Sequence, residues 1–177
     1  EQLATQPNLT FNPGLIVGGT DAQYNSANSS ATAFGKSNVI AQTVHVAGDL
    51  RALSPKQVEG AKKVMQQIVA KSLNGSQAEL IFEDGYPPMG LTEGNKKLLA
   101  LYSQASQDLG YNKVVAANPR NAGAADISFA ANHVDMALDG LGLMGSGAHT
   151  KNETADLTSL NKNTAKTALL IYRLGQL

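Results

Sequence analysis

The chain contains no cysteine. Disulfides and thiolate metal sites are excluded together, so any metal bound by these residues must be held by histidine and carboxylates. The compartment stays open, because exported and cytosolic proteins can both do without cysteine. Excess charge is also missing. Fourteen basic residues stand against fourteen acidic ones, and such a balance gives no reason to expect nucleic acid or an anionic membrane as partner. No apolar run approaches the roughly 18 residues of a membrane span, and Glu1-Gln2-Leu3 has neither the basic nor the apolar region of a signal peptide. The expectation is a soluble chain, periplasmic, secreted or cytoplasmic.

The 177 residues suffice for a real core, in one domain or two small ones. Residues 9–20 hold a short apolar run bounded by Pro-Gly and Gly-Gly, which reads as a strand between turns. Asp21 to Ser37 is rich in Ala, Ser, Asn and Thr without periodicity and reads as a surface loop or insertion. From Asn38 to Arg51 the apolar residues Ile40, Val44, Val46 and Leu50 share one parity, and Thr43, His45, Asp49 and Arg51 share the other. That alternation predicts a strand whose apolar face is buried. Ser54-Pro55-x-Gln57 then offers an N-cap, a first-turn proline and a capping-box partner. A helix follows with Val58, Ala61, Met65, Ile68, Val69 and Leu73 at helical spacing, stopped by Asn74-Gly75. Ala78 to Phe82 reads as a further strand, ended by Asp84-Gly85-Tyr86-Pro87-Pro88. Strand, strand, helix, strand is part of a two-layer α+β domain.

Beyond the prolines the pattern changes. Thr92 to Leu109 is an amphipathic helix closed by Gly110, Lys113 to Ala117 a short strand, and 121–130 a small-residue stretch leading into a short helix. Residues 134–143 predict an apolar strand and Ser159 to Leu174 a terminal helix. The fold class expected is α/β, with one domain over residues 1–86 and another over 87–177, divided near Gly85–Pro88.

One stretch concentrates the chemistry. Gly140-Leu-Gly-Leu-Met-Gly-Ser-Gly-Ala-His149-Thr-Lys-Asn-Glu153 puts four glycines ahead of one histidine, and Asp156-Leu-Thr-Ser159 has the composition of a helix start. Glycine at this density lets the chain turn sharply and pass close to a ligand. A neutral imidazole on such a loop can bind zinc. The blander alternative is a flexible connection carrying an exposed histidine. A phosphate loop is disfavoured, because the Gly-Lys-Ser/Thr ending is absent.

The run Gly-Leu-Met-Gly-Ser-Gly-Ala-His-Thr-x-x-Glu resembles the last metal-ligand loop of the zinc-dependent exopeptidases and deacylases that include glutamate carboxypeptidase, acetylornithine deacetylase and succinyl-diaminopimelate desuccinylase. Three further features are similar to that family's small lid domain: Gly18-Gly19-Thr20, Asn38, and Asp49-Leu50-Arg51. The segment from Gly123 to Asp126 resembles the family's Gly-x-x-Asp floor of the substrate cleft. By that measure 21–37 is an insertion where members have a very short turn.

The resemblance implies that His149 is a zinc ligand and that Asn38, Arg51 and Gly123 bind substrate. A guanidinium suits a substrate carboxylate because its planar fork meets both oxygens. It also implies two zinc ions in the intact protein, about 3.5–4 Å apart, sharing a water that attacks a peptide or N-acyl amino acid amide bond. The remaining ligands and the general base lie upstream of this chain by the same reasoning. With about three ligands needed per catalytic zinc, the 177 residues alone are expected to be inactive, with no catalytic residue of their own, and to need an N-terminal half as partner. Members pair through the lid, so a homodimer is implied. Glu153 is expected to hold the loop, Asp126 to brace the cleft backbone, and His45 and His133 to play no ligand role. Where glutamate-preferring members carry Gly-Arg-Pro, this chain has Gly85-Tyr86-Pro87, which removes a cation that an acidic side chain would meet. The alternative function is a non-catalytic dimerisation or binding fragment of such an enzyme.

Overall fold

A computed structural model describes residues 2–121 and 123–176. The chain divides into a unit ending at Ile81 and a second beginning at Phe82. Small antiparallel sheets and four α-helices make up the fold, an α/β mixture.

In the first unit, β1 (Thr10–Gly19) pairs antiparallel with β4 (Thr43–Arg51), from Thr10 opposite Arg51 to Gly19 opposite Thr43. The register slips between Pro13 and Leu15. A proline has no N–H for the ladder, and a bulge is where a strand tolerates one. The stretch expected to be a loop forms its own hairpin, β2 (Asp21–Asn25) with β3 (Ser30–Phe34). Asn25 and Asn28 side chains accept from the Ala27 and Ser30 amides and close the turn, which small polar residues do well and periodicity does not reveal.

This hairpin leans on the polar parity of β4. The His45 ring nitrogen lies 3.1 Å from the Ala22 carbonyl oxygen, and the Tyr24 ring stands 6.5 Å from the imidazole. His45 and its strand neighbours Leu15, Val17 and Ala47 are half-buried as a result. The opposite parity, expected to be buried, is open over most of its length: Ile16, Val44 and Val46 are 66%, 58% and 61% exposed. Only Leu50 finds cover, in a small core with Leu3, Leu9, Ala61, Val64 and Met65. Helix α1 (Pro55–Val69) supplies the last three of these and starts as its sequence predicts. Ser54 Oγ accepts from the Gln57 amide at 3.2 Å, Gln57 Oε1 accepts from the Leu53 amide at 2.9 Å, and Gln57 Nε2 donates to the Pro7 carbonyl.

The second unit is built on α2 (Glu93–Asp108) and α4 (Leu157–Leu174), which pack together around buried Tyr102, Ala105 and Leu170. Arg173 Nη2 meets Asp108 Oδ2 at 2.6 Å. Hydrogen bonds from Gln104 and then Arg173 hold the Asp108 carboxyl below its usual range. Residues 113–117 run without a strand partner, contrary to the sequence expectation. Two serines of α2 hold this segment instead: Ser103 Oγ accepts from the Val114 amide, and Ser106 Oγ donates to the Asn112 carbonyl at 2.7 Å. Residues 78–82 and 134–143 are likewise not strands. Apolar runs register as strands only when another backbone pairs with them in a ladder, and among the described residues these segments join none of the sheets.

Asn95 carries much of this unit's polar order. It is buried, its Oδ1 accepts from the Ala137 amide at 2.7 Å, and its Nδ2 donates to the Gly90 carbonyl at 2.9 Å. Asn95→Ala strands both groups and is expected to cost about 2–4 kcal/mol, read as a shift of the urea midpoint. A loss under about 0.5 kcal/mol would contradict the bonding described.

Candidate functional site

His149 sits at the tip of a hairpin whose strands are β5 (Met144–Ser146) and β6 (Thr154–Asp156). The glycines explain the approach of the strands. A Cβ on Gly145 would fall 2.5 Å from the Thr154 carbonyl oxygen, so only glycine fits there, and Gly147 has φ +69°. The connection is two consecutive turns hinged on Thr150. Its amide and hydroxyl both donate to the Gly147 carbonyl, at 3.1 and 2.7 Å. Its carbonyl accepts from the Glu153 amide, and its Oγ1 accepts from the Asn152 amide. Thr150 was not singled out in the sequence, although a threonine three residues after a glycine is a recognisable turn signal.

This frame presents His149 as an exposed residue with φ +63°. That region is costly for most side chains, and histidine is among the few that populate it more often. Glu153 Oε2 accepts from the His149 amide at 3.3 Å, so Glu153 holds the loop, as expected. The hairpin is fastened below by Ser159 Oγ, which accepts from the Met144 amide at 2.9 Å, and by Asn163 Nδ2, which donates to the Gly142 carbonyl.

Asp156 joins the hairpin to α4. Its Oδ1 accepts from the Thr158 amide and hydroxyl at 2.9 and 2.7 Å. The hydroxyl bond, then the amide bond, holds its carboxyl below the ordinary 3.8. Protonation is therefore harder in the folded state, and the cap stabilises fully above that value and is lost as pH falls through the folded pKa. Asp156→Ala is expected to lower Tm at neutral pH and by progressively less in acid. A deficit that stays constant into strong acid would contradict this assignment.

Arg51 closes β4, exposed, with its Nε donating to Asp49 Oδ2 at 3.0 Å. Both terminal amino groups of its fork are left without a partner among the described residues. Asn38 lies exposed in the 35–42 connection that enters β4 at Thr43. Eight strand steps separate Thr43 from Arg51, roughly 26 Å, so the fold places these two candidates toward opposite ends of one strand. Gly123 is exposed, and a Cβ there would meet nothing within 4 Å. Asp126 Oδ1 accepts from the Tyr86 hydroxyl at 2.9 Å, and the Tyr86 ring lies 5.1 Å from that of Phe129. The bond to Asp126, and then its charge, push the Tyr86 hydroxyl above its ordinary 10.0. Asn38 and Arg51 thus belong to the first unit, Gly123 and His149 to the second.

No group of three or more His, Asp or Glu side chains is placed to hold a metal ion among the described residues. His133-Val134-Asp135 is a His-x-Asp pair that the sequence reading passed over, and both side chains are exposed without a third donor. His149 can serve as one ligand of a metal, and these residues do not make a metal centre by themselves.

Comparison with known proteins places the chain. The profile of peptidase family M20/M25/M40 matches residues 14–173, and the chain belongs to that family. A curated relative is carboxypeptidase G2 of Pseudomonas sp. (strain RS-16), 28% identical over 145 residues. The match takes in 78% of this chain and 34% of that protein, so the chain spans about a third of its relative's length. No solved structure matches. No helix among the described residues is long and apolar enough to cross a membrane.

Proposed function

We propose that these residues are the C-terminal portion of a zinc-dependent exopeptidase that hydrolyses a peptide or N-acyl amino acid amide bond and that is inactive without further polypeptide. The observation that carries the reading is His149, exposed at the tip of a glycine-built hairpin in a strained backbone conformation that Thr150 and Glu153 maintain. Asn8 and Ser29 share the positive φ; what sets His149 apart is an imidazole in that conformation at the tip of a loop that its neighbours hold, which fits a working residue. In this reading His149 supplies one imidazole to a zinc ion and the other ligands come from outside these residues. Bound zinc supplies an activated water. The work of this chain is to hold the imidazole in place, to offer the free edge of the Arg51 fork to a substrate carboxylate, and to give the substrate backbone room at Gly123. Asn38 makes a separate polar contact.

Surface area supports the need for more polypeptide. The chain exposes 13283 Å². A compact protein of 18.5 kDa exposes roughly 8,200 Å², and even two separate globules of these sizes expose only roughly 9,900 Å². The surplus of about 3,400 Å² on one chain exceeds the roughly 1,000–2,500 Å² that each side of most obligate interfaces buries. Exposed Ile16, Val44 and Val46 favour, as a second reading, a non-catalytic dimerisation or binding fragment, and in either case a homodimer through the first unit is a fitting arrangement.

The test is reconstitution. Co-expression with the upstream half of the protein is expected to yield zinc-dependent release of C-terminal amino acids from N-acyl and glutamyl peptides, with none from the 177 residues alone. A folded, zinc-loaded assembly without hydrolysis would leave the binding-fragment reading standing in its place.

A further inference from the structure

We propose that the groove between residues 110–115 and helix α4 binds a small anion carrying more than one phosphate charge. It does not rest on the peptidase reading and involves none of the residues assigned there. Gly110, Tyr111, Lys113, Val115, Lys162 and Lys166 line a groove of about 490 Å³, a size that suits small-molecule ligands.

Charge is what sets this groove apart. The whole chain is neutral, yet three lysines line this groove and none of them is in an ion pair among the described residues. Lys162 and Lys166 stand four residues apart on one helix face, where like charges repel, and Lys113 lines the same groove from the extended segment. The carboxylate that feels them is Asp156, which Lys162 attracts but which is already committed to capping α4. Such an arrangement carries a small mutual repulsion, roughly 0.2–0.5 kcal/mol for the i,i+4 pair, that a bound anion would relieve.

Lys166 is also held in position. It is half-buried, its Nζ donates to Asn163 Oδ1 at 3.2 Å, and it lies 5.5 Å from the centroid of the Tyr111 ring. Asn163 is itself buried and fixed through its other end to the Gly142 carbonyl. The ammonium is therefore aimed before a ligand arrives, which lowers the ordering cost of binding. Lysine, a compact point charge with rotatable donors, is an established binder of phosphate oxygens. The Tyr111 ring and the exposed Val115 add an apolar wall.

The probe is inorganic pyrophosphate, titrated calorimetrically into the protein as purified, at low and at physiological ionic strength. Saturable one-site binding is expected, with Lys166→Met and Lys162→Met each weakening it by about tenfold or more. Lys63→Met, on α1 of the first unit and not among the groove's lining residues, should leave it unchanged. Circular dichroism on each variant separates lost binding from lost fold, and the exposed Lys162 serves if Lys166→Met unfolds. Absence of saturable binding, or equal weakening by Lys63→Met, would overturn the site. Citrate binding as tightly as pyrophosphate would overturn the phosphate assignment.

Discussion

His149→Gly, made in the longer protein, is expected to abolish the zinc-dependent hydrolysis while leaving the metal-free fold at least as stable as before. The two effects have separate causes. Activity falls because an imidazole leaves the metal, and loss of a direct ligand should exceed the 10–100-fold that loss of an outer-shell partner costs; a drop in kcat/KM of about 10³-fold or more is the expected result. Stability holds or rises because φ +63° costs an L-residue roughly 1–2 kcal/mol and glycine nothing. Part of that relief is offset by the greater freedom of glycine in the unfolded chain, roughly 0.5–1 kcal/mol. A net gain of up to about 1 kcal/mol remains. His149→Ala should lose the activity without the stability gain. Retention of full zinc content and turnover in either variant would remove His149 from the site.

The second large effect is on substrate binding. Arg51→Met is expected to raise KM by roughly 10²–10³-fold with kcat little changed, since truncating one partner of a buried charge pair costs about 2–5 kcal/mol. Arg51→Lys should recover only a small part, because a point charge cannot reproduce the planar fork. The folded state should hardly notice either change. The contact Arg51 makes in the fold is the exposed pair with Asp49, worth about 0–1 kcal/mol. A KM that stays put, or a large fall in Tm, would make Arg51 an ordinary strand-end residue.

Much of the fold was written locally and could be read so. The start of α1 lies in Ser54, Pro55 and Gln57, the end of α2 in Gly110 at φ +79°, and the start of α4 in Asp156; each signal and its consequence are within four residues of each other. The loop around His149 was legible for the same reason, since glycine spacing dictates the turns. Strands were read less well. Residues 21–37 form a hairpin held by Asn25, Asn28 and the lean against His45, none of which leaves a period in the sequence. Segments 78–82, 113–117 and 134–143 have the composition of strands but enter no sheet among the described residues.

The inverted burial of β4 teaches the same point. Val44 and Val46 alternate correctly for a core, but burial depends on what is packed above them, and among the described residues that face is covered only near Leu50. The candidate site divides along this line. The turns that carry His149 and Glu153 are made by neighbours in sequence, so this part of the candidate site could be read locally. Whether Asn38, Arg51 and Gly123 meet one substrate depends on tertiary context, and the fold sets Asn38 and Arg51 toward opposite ends of β4.

The measurement that bears most directly on the central claim is the intact mass of the protein isolated from its native source, with bound zinc quantified on the same preparation. A longer polypeptide, or a co-purifying N-terminal half, carrying close to two zinc ions per active site is the expected result. A stable species of the 177 residues alone, free of zinc, would contradict it.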